Sequence, residues 1–222
     1  MDFVTTADGS KTLYHAEVGE HYHSKHGAHQ ESIHVFLKSG LQFFLEKENR
    51  NGASILEVGF GTGLNFLLTA DYCGENSLKL DYCGIEAFPL PLEVISHTEY
   101  NQYVSADLWD VFRSEYKNAL METVKLSNFI DFRVAHTDVL NFEDDGMFDV
   151  IYFDAFAAIH QPEMWSDETL AHVCKFLKPG GVFVTYAITG NLKRSMKALG
   201  FAVEKAPGAP GKREMLRAVK LG

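Results

Sequence analysis

Apolar residues recur along the chain in short runs that alternate with stretches of helical periodicity, and this alternation predicts an α/β order of elements. Residues 55–58 form an apolar run that stops at closely spaced glycines, and the apolar, helix-favouring run 64–70 follows at once. Strand, glycine turn and helix in this order are the opening unit of a doubly wound α/β sheet. Further strands are predicted over 78–86, 130–135, 148–154 and 181–186, and helices over 31–48, 91–103, 105–125, 165–177 and 191–199.

The end of the chain closes this pattern with two short β-type runs. Residues 201–204 and 213–219 flank a Pro- and Gly-rich connection, which predicts an antiparallel hairpin. The fold class is therefore α/β, a doubly wound Rossmann-like sheet with a C-terminal antiparallel hairpin, in a single domain over residues 1–222. Within it, 1–48 is predicted as an N-terminal polar segment and helix, and 87–129 as a helical insert that lies over the site.

The glycine turn carries the first candidate chemistry. Gly59, Gly61 and Gly63 alternate with other residues, and Glu57 precedes them inside the strand. Glycine lets the turn adopt positive φ and lets a ligand approach the backbone, while the helix N-terminus offers unpaired N–H groups. Dinucleotide sites prefer G-x-G-x-x-G and bind a pyrophosphate, which the Glu57 carboxylate would repel. E-x-G-x-G-x-G instead suits a ligand with a cationic amino group, such as S-adenosylmethionine. A turn that only connects strand and helix is the alternative.

Two acidic residues after later strands complete a predicted nucleoside site. Glu86 ends the second strand at about the interval from the glycine turn that places an acid on a ribose. Asp138 follows the third strand and can accept a hydrogen bond from an adenine amino group. A surface acid at a strand end is the alternative for Glu86. The predicted cofactor-binding residues are Glu57, Gly59, Phe60, Gly61, Thr62, Gly63, Asn65, Glu86 and Asp138.

Composition narrows the class of protein. A hydrophobic content of 46% indicates a soluble globular chain, and no apolar run approaches the ~20 residues needed to span a bilayer. The acidic N-terminus lacks the apolar core of a secretory signal. Cys73, Cys83 and Cys174 are odd in number and outside C-x-x-C spacing, which predicts free thiols and a cytoplasmic location. The histidines between residues 15 and 34 lack zinc-site spacing, so no metal is expected.

The net charge of −10 is unevenly distributed along the chain. Residues 171–222 carry a charge of +8, whereas residues 1–170 carry −18. Such asymmetry predicts that a polyanionic partner docks at the basic end. Solvated helix faces that happen to be basic are the alternative.

Several blocks of the chain together resemble one family of tRNA-modifying enzymes. The glycine block resembles the first motif of class I methyltransferases. The whole set resembles the methyltransferase domain of the tRNA 5-methylaminomethyl-2-thiouridine biosynthesis bifunctional protein family, over nearly all of the chain. The matching blocks are 21–24, 27–28, 31–32, 35–36, 59–66, 154–157, 162–165 and 211–216.

The chain departs from that family in two places. Ala158 stands where the family has proline, and the chain to Gly222 is expected to lack the flavin-dependent oxidase domain of the bifunctional protein. No flavin is therefore expected, and the aminomethyl precursor is expected from other wobble-modification enzymes.

The resemblance implies methyl transfer from S-adenosylmethionine to the primary amine of 5-aminomethyl-(2-thio)uridine at the tRNA wobble position. Because an alkylamine is mostly protonated at pH 7, a carboxylate or water path must accept a proton before or during attack. Asp154 ends the fourth strand and is the predicted catalytic residue; a loop acid or helix N-cap is the alternative. Phe156 is predicted to pack on a flipped uracil, with core packing as its alternative. Further predicted substrate contacts are His21, Tyr22 and Ser24, together with Lys193, Arg194, Lys212 and Arg213 on phosphates.

Other functions stay open on the sequence alone. A small-molecule or polyamine-type amine transferase has the same fold, and the acidic surface would suit its cationic substrate. A non-catalytic tRNA-binding module could keep the fold, although the joint presence of Glu57, the glycines, Glu86, Asp138 and Asp154 argues against decay. A nicotinamide oxidoreductase is disfavoured by the glycine spacing and by Glu57.

Overall fold

A computed structural model describes residues 2–222. The strands are β1 (Asp2–Thr5), β2 (Lys11–His15), β3 (Glu20–His21), β4 (Gly52–Val58), β5 (Lys79–Glu86), β6 (Val124–Lys125), β7 (Ile130–His136), β8 (Phe148–Phe153), β9 (Leu177–Thr185), β10 (Phe201–Pro207) and β11 (Glu214–Lys220). The helices are α1 (Ala28–Glu31), α2 (Phe43–Glu48), α3 (Leu64–Glu75), α4 (Leu92–Ser96), α5 (Ala106–Ala119), α6 (Asp167–Cys174) and α7 (Gly190–Ala198). A π-helical stretch, Ser32–Gln42, joins α1 to α2, and 3₁₀ turns cover Tyr100–Gln102, Val139–Asn141 and Pro162–Trp165.

The main sheet has eight strands in the order β10-β11-β9-β8-β4-β5-β7-β6. Its centre, from β9 to β7, is parallel. The hairpin β10–β11 extends one edge antiparallel to β9, and β6 pairs antiparallel with β7 at the other edge. The chain runs outward from β4 in one direction and returns through β8 in the other. The β4–β8 gap is therefore the topological switch point, where ligands bind at the carboxyl edge of such sheets. The predicted doubly wound sheet and terminal hairpin are confirmed.

Apolar packing on both faces explains why the sheet forms. Every residue of β8 is buried, as expected for a central parallel strand covered on both sides. On one face, Phe66 of α3 stacks on Phe132 of β7 with ring centroids 3.8 Å apart. The α5 stripe of Trp109, Phe112 and Tyr116 packs into the same cluster, so it belongs to the core.

Two predicted helices are shorter than the periodicity indicated. The helix predicted over 105–125 ends at Ala119, because residues 124–125 pair with β7 instead. The one predicted over 91–103 divides into α4 and a 3₁₀ turn. Of the predicted insert 87–129, Ala87 and Phe88 line the cleft described below, whereas α5 packs against α3 and β7.

The N-terminal polar segment contains a small antiparallel sheet, β1-β2-β3, which the sequence pattern did not predict. Tyr14 pairs with His21 across β2 and β3, and their rings lie 4.9 Å apart. This sheet places residues 15–24 beside the carboxyl edge of the main sheet. The three cysteines are buried and free, and none of the helices within residues 2–222 is long and apolar enough to cross a bilayer.

Candidate active site

Two adjoining cavities open at the carboxyl edge of the sheet, on either side of the end of β8. The first, of about 410 Å³, runs along the glycine turn between β4 and β5. The second, of about 270 Å³, lies between the N-terminal segment and the turn that precedes β11. Tyr22, His23, Asp154, Ala155 and Phe156 line both. A larger open depression of about 740 Å³ lies at the opposite edge of the sheet, and none of the predicted site residues lines it.

The first cavity, which we call the cleft, has the form of a nucleoside site. The turn has left-handed backbone at Gly59 (φ 86°), Gly61 (φ 53°) and Gly63 (φ 78°), and Gly63 caps α3. A side chain at Gly59 would place its Cβ 2.5 Å from the carbonyl oxygen of Asp154. The missing side chain at Gly59 therefore allows the ends of β4 and β8 to meet closely.

We expect Gly59→Ala to lower the free energy of unfolding by about 1–3 kcal/mol, because the added methyl group clashes with Asp154 and strains the backbone. Gly200→Ala is the matched control, since Gly200 has φ 85° and open space around its Cβ position. Chemical denaturation of both variants separates the contact from the φ strain. Equal losses in the two variants would show that the contact with β8 is unimportant.

Glu86 and Asp138 both line the cleft, and their carboxylates also accept hydrogen bonds from nearby backbone N–H groups. Glu86 Oε2 accepts a hydrogen bond from Gly61 N at 2.9 Å, and Oε1 accepts one from Phe88 N at 3.0 Å. Asp138 Oδ1 accepts from Leu140 N at 2.9 Å. A carboxylate oxygen can accept more than one hydrogen bond, so both acids keep capacity for ribose hydroxyls or an adenine amine.

The second cavity, which we call the acidic cavity, brings three carboxyl groups together: Glu20, Glu31 and Asp154. Lys212 Nζ lies 2.7 Å from Glu31 Oε2 and 4.0 Å from the ring centroid of Tyr186. Burial, reinforced by the negative charge of Glu31, raises the pKa of Asp154 to about 7. A carboxyl with this pKa can accept or release a proton near neutral pH.

A group of three aromatic side chains, His15, Tyr22 and Phe156, lies between the cleft and the acidic cavity; we call it the aromatic group. The Phe156 ring lies edge-on to Tyr22 at 5.1 Å and to His15 at 5.8 Å. Glu20 Oε2 accepts from Ala157 N at 2.8 Å, which ties the Phe156 loop to β3. His23 is buried beside these rings, and burial lowers its pKa to about 4, so its imidazole is neutral at physiological pH. Aromatic faces at such a position can stack on a planar base.

Three predicted cofactor residues do not line the cleft. Glu57 is fully buried and accepts hydrogen bonds from Asn65 and Tyr82, so its carboxylate lies behind the cleft lining. Asn65 lies behind the turn with Glu57, and Gly63 acts as the cap of α3. Phe60 and Thr62 border the cleft, but the Phe60 ring packs in the core and the Thr62 hydroxyl meets Tyr100.

The predicted substrate residues divide into two groups. His21, Tyr22, Ser24, Phe156 and Lys212 line the acidic cavity. The remaining three, Lys193, Arg194 and Arg213, line neither cavity, and Arg194 and Arg213 are exposed.

Sequence reasoning missed Glu20, Glu31, His23 and Tyr186, all of which line the acidic cavity. The one available signal was the presence of Glu31 and His23 in blocks that carry the family resemblance. Within residues 2–222, no three His, Cys, Asp or Glu side chains are grouped so as to hold a metal ion.

Comparison with known proteins adds three findings. A family model described as S-adenosyl-L-methionine-dependent methyltransferase matches residues 99–221. The tRNA 5-methylaminomethyl-2-thiouridine biosynthesis bifunctional protein MnmC of Leptospira borgpetersenii serovar Hardjo-bovis (strain JB197) is 33% identical over 180 residues, covering 75% of this chain and 27% of that protein. The protein of the same name from Magnetococcus marinus is 30% identical, and the match covers 78% of this chain and 27% of that protein. The chain thus spans about a quarter of the length of these relatives.

A solved structure supports the fold. The crystal structure of MNMC2 from Aquifex aeolicus superposes with a TM-score of 0.78 at 24% identity, covering 99% of this chain and 70% of that one.

Proposed function

Because the chain belongs to the S-adenosyl-L-methionine-dependent methyltransferase family, we propose that it methylates the primary amine of 5-aminomethyl-(2-thio)uridine at the tRNA wobble position. The name of the MnmC relatives describes biosynthesis of a 5-methylaminomethyl group, whose N-methyl group a methyltransferase would install. One observation carries the proposal: the Asp154 carboxyl lies between a cleft shaped for a nucleoside and a cavity rich in carboxyl groups. The product of this reaction is 5-methylaminomethyl-(2-thio)uridine.

The acidic cavity suits a substrate that arrives as an ammonium ion. Three carboxyl groups, those of Glu20, Glu31 and Asp154, line the cavity together with two lysines: Lys212, which Glu31 already pairs, and the exposed Lys25. Negative charge within a few ångströms favours the cationic form of a bound amine. A neutral His23 adds polarity without competing positive charge. These features support an amine rather than a hydroxyl or carbon nucleophile.

The residues that line the cleft are suited to hold S-adenosylmethionine. The backbone of the glycine turn would face the methionine portion, with Glu86 on the ribose and Asp138 on the adenine. When bound, S-adenosylmethionine would supply an electrophilic methyl group to the amine nitrogen, and its sulfur would keep the electron pair of the broken C–S bond. Asp154 takes the proton that the ammonium must lose beforehand, and the secondary ammonium product later releases a second proton to solvent.

The aromatic group supports a nucleobase as the carrier of the amine. A wobble base must leave its stack to reach an enzyme cavity, and Tyr22 and Phe156 offer aromatic surfaces at the mouth of the acidic cavity. The reaction also needs an aminomethyl group made beforehand, so another wobble-modification activity must supply it. A tRNA substrate of this kind implies a cytoplasmic enzyme.

The test is an incubation of the purified protein with methyl-labelled S-adenosylmethionine and tRNA from cells that lack this methylation step. Nucleoside mass spectrometry should show label in 5-methylaminomethyl-(2-thio)uridine. Label in added polyamines or small amines but not in tRNA would favour the small-molecule transferase instead, because the acidic cavity alone does not select a nucleobase. Cofactor and tRNA binding without any transfer would favour the non-catalytic module and overturn the proposal.

We propose that tRNA docks on the basic face of α7, and this refines the predicted basic end. Four basic side chains of residues 171–222 already pair with carboxylates: Lys178, Lys205, Lys212 and Arg217. Lys193 and Arg194 lie in the first turns of α7, which follows the carboxyl end of β9 and so begins at the edge of the sheet that carries the site. Phosphate contacts from these side chains would supply affinity rather than base choice.

We expect the double variant Lys193→Glu, Arg194→Glu to weaken tRNA binding. The slope of the logarithm of the binding constant against the logarithm of salt concentration should fall by the equivalent of about one to two phosphate contacts. Arg113→Glu, Lys117→Glu is the matched control, because it reverses two exposed basic residues on α5 within the acidic part of the chain. Filter binding over a range of salt concentrations measures both slopes. If the α5 variant changed the slope as much as the α7 variant, a local docking face on α7 would be the wrong description.

A further inference from the structure

Asn65 joins the buried acid Glu57 of β4 to the half-buried acid Asp154 at the end of β8. Its Nδ2 donates to Glu57 Oε1 and to Asp154 Oδ2, both at 2.8 Å. Tyr82 OH donates to the other oxygen of Glu57 at 2.8 Å. Glu57 is 0% exposed and Asn65 is 3% exposed, so the Glu57 end of this chain of hydrogen bonds is shielded from water, whereas Asp154 faces the two cavities. It links the first turn of α3 to the acid at the end of β8.

The orientation of the Asn65 side-chain amide leaves its oxygen atom without a hydrogen-bond partner among residues 2–222. Both of its neighbours are carboxyl groups, so its nitrogen faces them and its Oδ1 is buried without a hydrogen-bond partner within residues 2–222. Buried polar atoms are normally paired, and each exception calls for an explanation. Retaining an unpaired oxygen in order to present two N–H groups to Glu57 and Asp154 indicates that the contact with Asp154 matters.

We propose that Asn65, anchored by Glu57, is the positioning residue for Asp154 rather than a cofactor ligand. By occupying Oδ2, it fixes the carboxyl plane and leaves Oδ1, to which no residue within 2–222 donates, for the substrate amine. This role deepens the proposed function and rests on it for the identity of the amine. The position and ionisation of Asp154 can nevertheless be measured in the free protein.

The electrostatics of the site are consistent with this role. Burial raises the pKa of Glu57 well above its ordinary range, against the hydrogen bonds from Asn65 and Tyr82, which lower it. The hydrogen bond from Asn65 lowers the pKa of Asp154, and Lys212 acts in the same direction, against burial and the charges of Glu31 and Glu20. Tyr186, which also faces Asp154, is un-ionised because burial raises its pKa. Asn65 is therefore a donor that keeps Asp154 ionisable near neutral pH.

The decisive variant is Asn65→Leu, which keeps the approximate shape and removes the donor. The Asp154 carboxyl resonance, assigned with Asp154→Asn in ¹³C-labelled protein, should titrate about one pH unit higher. The acidic limb of the single-turnover methyl-transfer rate should move by the same amount, so the rate at pH 7 falls about fivefold and recovers at higher pH. Cofactor affinity should stay within about threefold of the wild type, because Asn65 lies outside the cleft.

Thr69→Val is the matched control. Thr69 lies one turn further along α3, is fully buried and hydrogen-bonds Tyr152 at 3.3 Å, with no link to Asp154. It should leave the Asp154 titration unchanged.

A second measurement avoids any variant that fails to fold. In wild-type protein, the ¹⁵N resonance of the Asn65 side-chain amide should shift with the same midpoint as Asp154. An Asn65 resonance that stays constant through that titration, or an unchanged Asp154 midpoint in Asn65→Leu, overturns the positioning role. Both readouts are independent of tRNA. A failed tRNA assay with a coupled titration would therefore reject the proposed substrate and leave Asn65 as the partner of Asp154.

Discussion

Asp154→Asn should reduce methyl transfer by about 10²- to 10⁴-fold while leaving cofactor affinity almost unchanged. Asparagine preserves the shape of the side chain but loses the charge that attracts the ammonium form and takes its proton. Single-turnover rates at saturating tRNA and cofactor separate this loss from a docking defect. A variant that methylates at nearly the wild-type rate would make Asp154 structural and move the search for the amine holder to Glu20 and Glu31.

The same variant should be more stable than the wild type at pH 8. The raised pKa of Asp154 means that the folded state holds its proton more tightly than the unfolded chain, whose carboxyl titrates near 3.8. The stability of the wild type therefore falls as pH rises from about 4 to about 7, and the whole penalty is present above that range. Removing the charge should raise the free energy of unfolding by about 1–4 kcal/mol, measured by urea denaturation at pH 8.

Asp149→Asn provides the opposite pattern as a control. Asp149 is buried in β8 but bonds Lys178 at 2.9 Å and Ser54 N at 2.8 Å, at the edge of the sheet away from the site. Losing these bonds should destabilise the fold by about 1–3 kcal/mol and leave the rate of methyl transfer unchanged. A loss of activity with a gain of stability at Asp154, against the reverse at Asp149, would distinguish a functional acid from a structural one.

The sequence was sufficient for the doubly wound sheet, for its terminal hairpin and for the glycines whose backbone lines the cleft. Gly59 and Gly61 predict the turn, because closely spaced glycines after a buried strand allow the positive φ angles that the turn requires. Glu86 and Asp138 follow from their positions after β5 and β7. These predictions depend on local pattern and on the rule that carboxyl ends of parallel strands share one edge.

The acidic cavity could not be predicted in the same way, because it depends on contacts between distant parts of the chain. Glu31 and Lys212 are separated by 181 positions, and their ion pair exists only once the turn before β11 packs beside the N-terminal segment. The pattern of charges therefore placed Lys212 on a phosphate, whereas the structure pairs it with Glu31. The inward position of Glu57 was also missed, because period-two alternation does not tell the two covered faces of a central strand apart.

Glu86→Ala should weaken binding of S-adenosylmethionine by about 1–3 kcal/mol, or roughly 5- to 150-fold, because it removes a charged acceptor at the end of β5. Part of that loss would be indirect, since Glu86 also accepts hydrogen bonds from Gly61 N and Phe88 N and so holds the glycine turn. Calorimetry measures the affinity, and thermal unfolding without cofactor shows how far the turn itself has loosened.

Glu86→Gln separates the two contributions. Glutamine keeps one acceptor oxygen for the backbone but offers an amide N–H where a second acceptor is needed, so it should fall between the wild type and alanine. Asp138→Asn is the comparison at the adenine end. Asparagine keeps the Oδ1 acceptor for Leu140 N, so the cost should be smaller. Equal affinity in the wild type and Glu86→Ala would remove Glu86 from the cofactor site. In that case the Glu86 carboxylate would serve to hold the backbone of the glycine turn rather than the cofactor.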